Sequence, residues 1–156
     1  TYVEIDPAVV DTAQDYFTYL SDCQRGKPHR ILLGDGRLEI AKLQDEKFDL
    51  IAIDVFSSDY IPAHLMTREA LALYRDRLSA NGVLLFHISN NFFDLAPVLT
   101  ALAIDAGLDY RLQEILQAPT FHERPSRWFV MGSAATLDRY DTDTWTKPDA
   151  DDSIAM

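Results

Sequence analysis

Phe48-Asp-Leu-Ile-Ala-Ile-Asp-Val55 is a nearly continuous apolar stretch that carries an acid close to its end. Such a run is typical of a parallel strand that is buried on both faces. Similar apolar runs precede it at 2–5 and 30–33, and another follows at 83–88. Apolar residues recur at helical spacing between the runs. This repeated strand–helix order predicts an α/β fold with a mostly parallel sheet, right-handed crossovers and helices on both faces.

The boundaries of the other elements follow from local signals. We expect helices at 7–21, 37–43 and 93–106, and a further one capped by Thr67. Ala80-Asn-Gly82 predicts a turn before the fourth strand. Two more strands, at 110–116 and 127–131, have no helix between them and should form an antiparallel hairpin.

The end of the chain differs in composition from the rest. The sequence predicts one domain over residues 1–136 and an acidic, flexible tail over 137–156. The acids of this tail are Asp138, Asp141, Asp143, Asp149, Asp151 and Asp152.

Composition narrows the possible functions. The 156 residues carry a net charge of −11, which argues against sequence-independent nucleic-acid binding and is compatible with a cationic substrate. The single cysteine excludes an internal disulfide and a cysteine-rich metal site. No apolar run approaches the ~18 residues of a membrane helix, so we expect a soluble, cytoplasmic domain.

Acids stand at the ends of three predicted strands: Glu4, Asp35 and Asp54. In open α/β sheets, ligands bind beyond the carboxyl ends of the strands. A carboxylate in the place of Glu4 can accept hydrogen bonds from both ribose hydroxyls, although a cap or surface acid looks the same in sequence. Asp35, between Gly34 and Gly36, either accepts an adenine amino group or belongs to a plain turn.

Of the three acids, Asp54 is the best candidate for a catalytic role. A carboxylate at the mouth of a parallel sheet can take a proton from an amine nucleophile and hold its charge. The alternative is a cap for the turn that follows. His64 and His87 lie near the same edge and could pair as ligands or as acid–base groups, but no histidine spacing here predicts a metal site.

Several motifs, taken in order, resemble the polyamine aminopropyltransferases, the spermidine synthase family. The matching stretches are Tyr2-Val-Glu-Ile-Asp6, Gly34-Asp-Gly36 with Leu38, Phe48-Asp-Leu-Ile-Ala-Ile-Asp54, Ser57-Ser-Asp59, Ile61-Pro-Ala63 and Asn81-Gly-Val-Leu-Leu85. The resemblance runs from residue 2 to about 132 and is nearest to spermidine-synthase-like domains, some of which are fused to membrane segments. It implies the Rossmann-like methyltransferase fold and a homo-oligomer.

The resemblance also implies roles for individual residues. Glu4 would bind the ribose of the co-substrate, and Asp35 and Gly36 its adenine. Asp54 would orient and deprotonate the attacking amine. We also expect Ser57, Asp59 and Tyr60, in the loop after that strand, to contact the amine substrate, with ordinary packing as the alternative for Tyr60. The co-substrate would be decarboxylated S-adenosylmethionine or S-adenosylmethionine, with no metal.

Two departures from the family pattern affect the interpretation. Ser57 stands three residues after Asp54, where the family has a second acid for the far end of a diamine, and Asp59 stands five residues after it. The family's first strand and glycine-rich loop are not found before Tyr2. We therefore expect strands 2–5 and 48–55 to close up and pair directly, or another chain to cover the exposed edge.

Three functions remain open at this point. The leading one is aminopropyl transfer from decarboxylated S-adenosylmethionine to an amine. The second is methyl transfer from intact S-adenosylmethionine. The third is a non-catalytic domain that binds a nucleoside or serves assembly.

Overall fold

The structure is a computed structural model, and it describes residues 1–22, 28–55, 62–90, 92–115, 124–140 and 143–148. The chain divides into two compact units, Thr1–Asp45 and Glu46–Met156. Each unit combines strands with helices, which confirms the α/β class. None of the helices in the described ranges is long and apolar enough to cross a membrane.

The first unit is built on a short parallel sheet. Its strands are β1 (Tyr2–Glu4) and β2 (Ile31–Leu33), which pair with Tyr2 opposite Ile31 and Glu4 opposite Leu33. Its helices are α1 (Pro7–Tyr16), α2 (Tyr19–Asp22) and α3 (Gly36–Lys42).

The predicted helix over 7–21 is divided in two. α1 begins as expected, with Pro7 at its first position and the Asp6 side chain accepting a hydrogen bond from the Ala8 amide at 2.8 Å. It ends because Phe17 adopts an extended conformation, with φ −127° and ψ 146°. Aromatic and β-branched residues lose side-chain freedom in a helix, and the run Tyr16-Phe-Thr-Tyr19 at the break consists entirely of them.

The second unit contains a five-stranded sheet in the order β3-β4-β6-β5-β7. β3 and β4 are parallel, whereas β6 pairs antiparallel to both β4 and β5, and β7 pairs antiparallel to β5. The strands are β3 (Phe48–Ile53), β4 (Leu78–His87), β5 (Asp109–Ile115), β6 (Ser126–Gly132) and β7 (Trp145–Thr146). The helices are α4 (Arg68–Arg77), α5 (Ala96–Asp105) and α6 (Ala134–Leu137). The predicted hairpin of the last two long strands is confirmed.

The turn predicted at residues 80–82 is wrong, because these residues lie inside β4. β4 begins at Leu78, opposite Phe48, and the register shifts before Leu50 pairs with Val83. A Cβ atom on Gly82 would lie 2.7 Å from the Phe48 carbonyl oxygen. The glycine therefore permits a close approach of two strands rather than a turn.

The core of the second unit lies against the central strands of its sheet. The side chains of Leu84 on β4 and of Ile88, which follows β4, are fully buried. Those of Phe129 and Met131 on β6 are fully buried too. Leu99 on α5 is fully buried as well. This packing fixes β4 and the strands beside it, and with them the residues that follow their carboxyl ends.

Part of the predicted acidic tail is attached to the sheet. Trp145 and Thr146 pair with Gln113 and Leu112 of β5. Lys147 binds the Asp109 carboxylate through its ammonium group. The described residues 143–148 are thus held at the edge of the second unit, whereas the boundary predicted at 136/137 stays a prediction.

The expected direct pairing between strands 2–5 and 48–55 does not occur in the described residues. β1 pairs with β2 in one sheet, and β3 pairs with β4 in the other, where β3 is an edge strand. Asp49, Leu50 and Ala52 of β3 are exposed. Coverage of this edge by another chain stays a prediction.

Candidate active site

The first unit places two of the predicted acids at one edge of its sheet. Because β1 and β2 run parallel, their carboxyl ends meet, and the Gly34 amide donates to the Glu4 carbonyl oxygen at 2.8 Å. Glu4 and the Gly34-Asp-Gly36 turn are therefore neighbours. The proximity that the sequence predicted for these residues is found within the first unit.

Glu4 uses one carboxylate oxygen to organise the chain that follows it. Its Oε1 accepts hydrogen bonds from the amides of Ile5 at 2.8 Å and Asp6 at 3.0 Å. The side chain is thus fixed by its own turn. This is the local capping role that the sequence allowed as an alternative to ribose binding. Both of these hydrogen bonds use Oε1 and neither uses Oε2.

Asp35 is the N-cap residue of α3. Its Oδ1 accepts hydrogen bonds from the amides of Arg37 and Leu38, both at 3.0 Å. Gly34 precedes it with φ +152°, a conformation that side-chain-bearing residues rarely adopt. At Gly36, a Cβ atom would meet nothing within 4 Å, so the space over this backbone is open. The turn is therefore rigid and accessible.

The second unit brings Asp54 together with His87. Asp54 follows β3 directly, His87 ends the parallel neighbour β4, and Ile53 pairs with Phe86. His87 Nδ1 lies 2.8 Å from Asp54 Oδ1. The Asp54 side chain is 57% exposed and that of His87 is 22% exposed. A substrate can therefore reach the acid, while the imidazole lies mostly inside.

The second ring nitrogen of His87 and the face of its ring also have partners. His87 Nε2 lies 2.8 Å from Ser89 Oγ, and the Arg127 amide donates to the same oxygen at 2.7 Å. The ring stacks on Trp128, with a centroid distance of 4.3 Å and an angle of 14° between planes. Asp54, His87 and Ser89 thus form one hydrogen-bonded line.

Charged groups surround the outer end of this line. The Arg127 guanidinium donates through Nε to Glu114 at 2.7 Å and through a terminal nitrogen to Asp94 at 3.0 Å. Glu114 and Arg127 are also opposite each other in the hairpin of β5 and β6. These two ion pairs fix the strand whose amide holds Ser89.

Sequence reasoning found Asp54 but missed its partner. It considered His64 as a companion of His87, and the structure shows hydrogen bonds from the His87 ring to Asp54 and Ser89. Both residues end predicted parallel strands, but the local sequence does not say that these two strands pair. Ser57, Asp59 and Tyr60, the predicted amine contacts, lie outside the described residues, and their roles stay predictions. Within the described ranges, no group of three histidine, cysteine or acidic side chains could hold a metal ion.

Comparison with known proteins adds evidence at two levels. Residues 1–103 match the sequence profile of the family described as "Spermine/spermidine synthase domain". The polyamine aminopropyltransferase of Vibrio vulnificus (strain CMCP6) is 42% identical over 92 residues, which are 58% of this chain and 28% of the relative. The chain therefore spans less than a third of that protein's length.

Solved structures share the fold at low identity. A spermidine synthase in complex with the transition-state analogue AdoDATO has a TM-score of 0.64 and 18% identity, over 99% of this chain and 57% of the other. Human methyltransferase-like protein 13, in complex with SAH, has a TM-score of 0.60 and 17% identity, over 84% and 59% of the two chains. Both likenesses confirm the Rossmann-like methyltransferase fold that the sequence predicted. With two thirds of its length matched by the family profile, this chain belongs to the spermine/spermidine synthase domain family.

Proposed function

We propose that the whole protein transfers an aminopropyl group from decarboxylated S-adenosylmethionine to an amine. The observation that carries this proposal is the placement of Asp54. It stands accessible at the carboxyl end of a sheet strand, and His87 holds one of its oxygens at 2.8 Å. Membership of the spermine/spermidine synthase domain family supports the same reaction class.

The chemistry requires little beyond orientation and a neutral amine. The amine nitrogen attacks a carbon next to the sulfonium, the new N–C bond forms, and the C–S electron pair returns to sulfur. A protonated amine has no lone pair, so it must lose a proton before the attack. Asp54 is the base that receives this proton and the anion that holds the cationic acceptor.

Glu4, Asp35 and Gly36 are the proposed contacts of the nucleoside. Two features support this role. The acids lie at the carboxyl edge of a parallel sheet, where nucleotides bind in such folds, and the space over Gly36 is open. The capping bonds of Glu4 use one carboxylate oxygen, and the other oxygen can accept hydrogen bonds from ribose hydroxyls.

The acceptor is proposed to be a small amine, contacted by Ser57, Asp59 and Tyr60. The serine three residues after Asp54 removes the negative charge that would hold the far end of a short diamine. We therefore propose an acceptor that differs from the classical diamine in length or in its second charge.

Methyl transfer from intact S-adenosylmethionine is the second candidate. It is favoured by the fold likeness to a methyltransferase-like protein and by the altered acid spacing after Asp54. Both reactions use the same nucleoside contacts, so the distinction lies in the group attached to sulfur.

Calorimetric titration of the whole protein with both co-substrates tests the proposal. We expect decarboxylated S-adenosylmethionine to bind more tightly than the intact form. Asp54→Asn serves as a control, because it should leave both affinities close to their wild-type values. Tighter binding of the intact form would favour methyl transfer, and binding of neither would favour a non-catalytic domain.

A further inference from the structure

We propose that His87 is a positioning residue for Asp54: it holds Oδ1 through its Nδ1–H and leaves Oδ2 for the acceptor amine. This inference rests on the proposed function, since it assigns a role within the same reaction. His87 comes from a different strand, 33 residues further along the chain, and its ring nitrogen lies 2.8 Å from the Asp54 oxygen.

The hydrogen-bond partners determine where the imidazole carries its proton. A carboxylate accepts hydrogen bonds and has none to donate, so the proton of the Nδ1–Oδ1 contact belongs to Nδ1. The Arg127 amide is a fixed donor to Ser89 Oγ, at 2.7 Å. Ser89 can then donate its own hydroxyl proton to Nε2, at 2.8 Å. The tautomer that carries its proton on Nδ1 satisfies all three hydrogen bonds.

The ring itself has little freedom to move. It stacks on Trp128 at 4.3 Å, is 22% exposed and is bonded at both nitrogens. Asp54, by contrast, is 57% exposed and follows the last residue of its strand. An exposed carboxylate without a partner samples several rotamers, and each wrong rotamer misplaces the base. The fixed imidazole therefore supplies an orientation that Asp54 lacks on its own strand.

The tautomer also preserves the charge that the reaction needs. With neutral imidazole, the pair carries one negative charge, which attracts a protonated amine and accepts its proton. A protonated ring would cancel that charge and repel the amine. Among the described residues, the charged groups near this line include Arg127 on β6, paired with Glu114 on β5, and Asp94 in the segment before α5.

Two substitutions of His87 separate its hydrogen bond from its packing. His87→Phe keeps a ring for stacking on Trp128 but removes the donor to Asp54. His87→Asn loses the stacking but keeps a side-chain amide near the place of Nδ1. The assay uses the whole protein with decarboxylated S-adenosylmethionine and a series of linear diamines and monoamines, and it follows release of methylthioadenosine.

We expect His87→Phe to lower kcat by roughly ten- to a hundredfold, the effect of one lost hydrogen bond to a charged group. Its affinity for methylthioadenosine should stay at the wild-type value, and His87→Asn should recover most of the lost kcat. A purely structural role predicts the reverse order, with the phenylalanine variant more active than the asparagine variant.

A spectroscopic measurement checks the bond directly. In wild type, proton NMR should show a downfield, slowly exchanging Nδ1 proton of His87, and Asp54→Asn should shift it. Equal kcat for wild type and His87→Phe, or no such proton, would overturn the role of His87 while leaving aminopropyl transfer in place. Absence of turnover in the folded wild-type protein would overturn the proposed function and this role together.

Discussion

The two units hold their strand-end carboxylates in different ways. In the first unit, Glu4 and Asp35 accept hydrogen bonds from backbone amides one to three residues away. In the second, Asp54 is bonded to a side chain 33 residues away. A locally held acid is fixed as soon as its turn forms, which suits a binding contact. An acid held by a distant residue is oriented only when the sheet is complete, which suits the chemical step.

The units also differ in how much apolar surface they bury. Among the described residues of the first unit, the buried apolar side chains are Ala13, Leu20 and Ile40, while Tyr16 and Phe17 are more than half exposed. The second unit buries large side chains on every long element of its sheet, Tyr110 and Phe129 among them. Since apolar burial is the dominant favourable term in folding, the second unit has the greater stability of its own.

The largest effect is expected from the acid of the second unit. Asp54→Asn should reduce turnover by roughly 10²–10⁴, the usual range for a lost acid–base group, with little change in nucleoside affinity. Steady-state kinetics of the whole protein measures it. Asp49→Asn is the matched control, because Asp49 is an exposed acid of the same strand that bonds to Ser79 at 2.6 Å. Near-normal turnover in Asp54→Asn would remove this residue from the mechanism.

The acids of the first unit should instead affect binding. Glu4→Gln and Asp35→Ala should each weaken methylthioadenosine by about tenfold or more, because a hydrogen bond to a charged group contributes ~1.5–3 kcal/mol. Calorimetry measures the affinities, with Asp11→Asn on the exposed face of α1 as the control. If both variants bind as tightly as wild type, the nucleoside does not bind at these acids.

The same difference between local and distant contacts decides what could be predicted from the sequence. The strand ends, the Asp6–Pro7 helix start and the Asp35 turn depend on neighbouring residues, and the sequence located them. The bond between His87 and Asp54 depends on which strands pair and in what register, and no local pattern carries that information. Gly82 shows the same limit: its Asn-Gly pair predicts a turn, whereas its actual constraint is the Phe48 carbonyl on another strand.

A smaller effect is expected at the edge of the second unit, where Lys147 ties residues after α6 to the sheet. Burial acts to raise the pKa of Asp109, but hydrogen bonds from Lys147 and Arg111 outweigh it, and the pKa lies below its ordinary value of 3.8. The folded state therefore gains stability from ionised Asp109 above that value. This gain is lost as pH falls through the lowered pKa.

Lys147→Ala tests this contact. The Lys147 side chain is half exposed, so the loss in unfolding free energy at neutral pH should be below about 1 kcal/mol. The difference from wild type should disappear at a pH low enough to protonate Asp109. Urea unfolding at neutral and acidic pH measures both values, with Lys42→Ala as the exposed control. A difference that persists unchanged in acid would contradict the ion pair as its source.

Product identification shows whether the Asp54 site transfers an aminopropyl group to an amine. The whole protein is incubated with linear diamines and, in parallel, with decarboxylated or intact S-adenosylmethionine, and the products are identified by mass spectrometry. We expect methylthioadenosine and an aminopropylated amine from the decarboxylated form, both strongly reduced in Asp54→Asn. A methylated amine formed from the intact form, with no aminopropylated product, would contradict it.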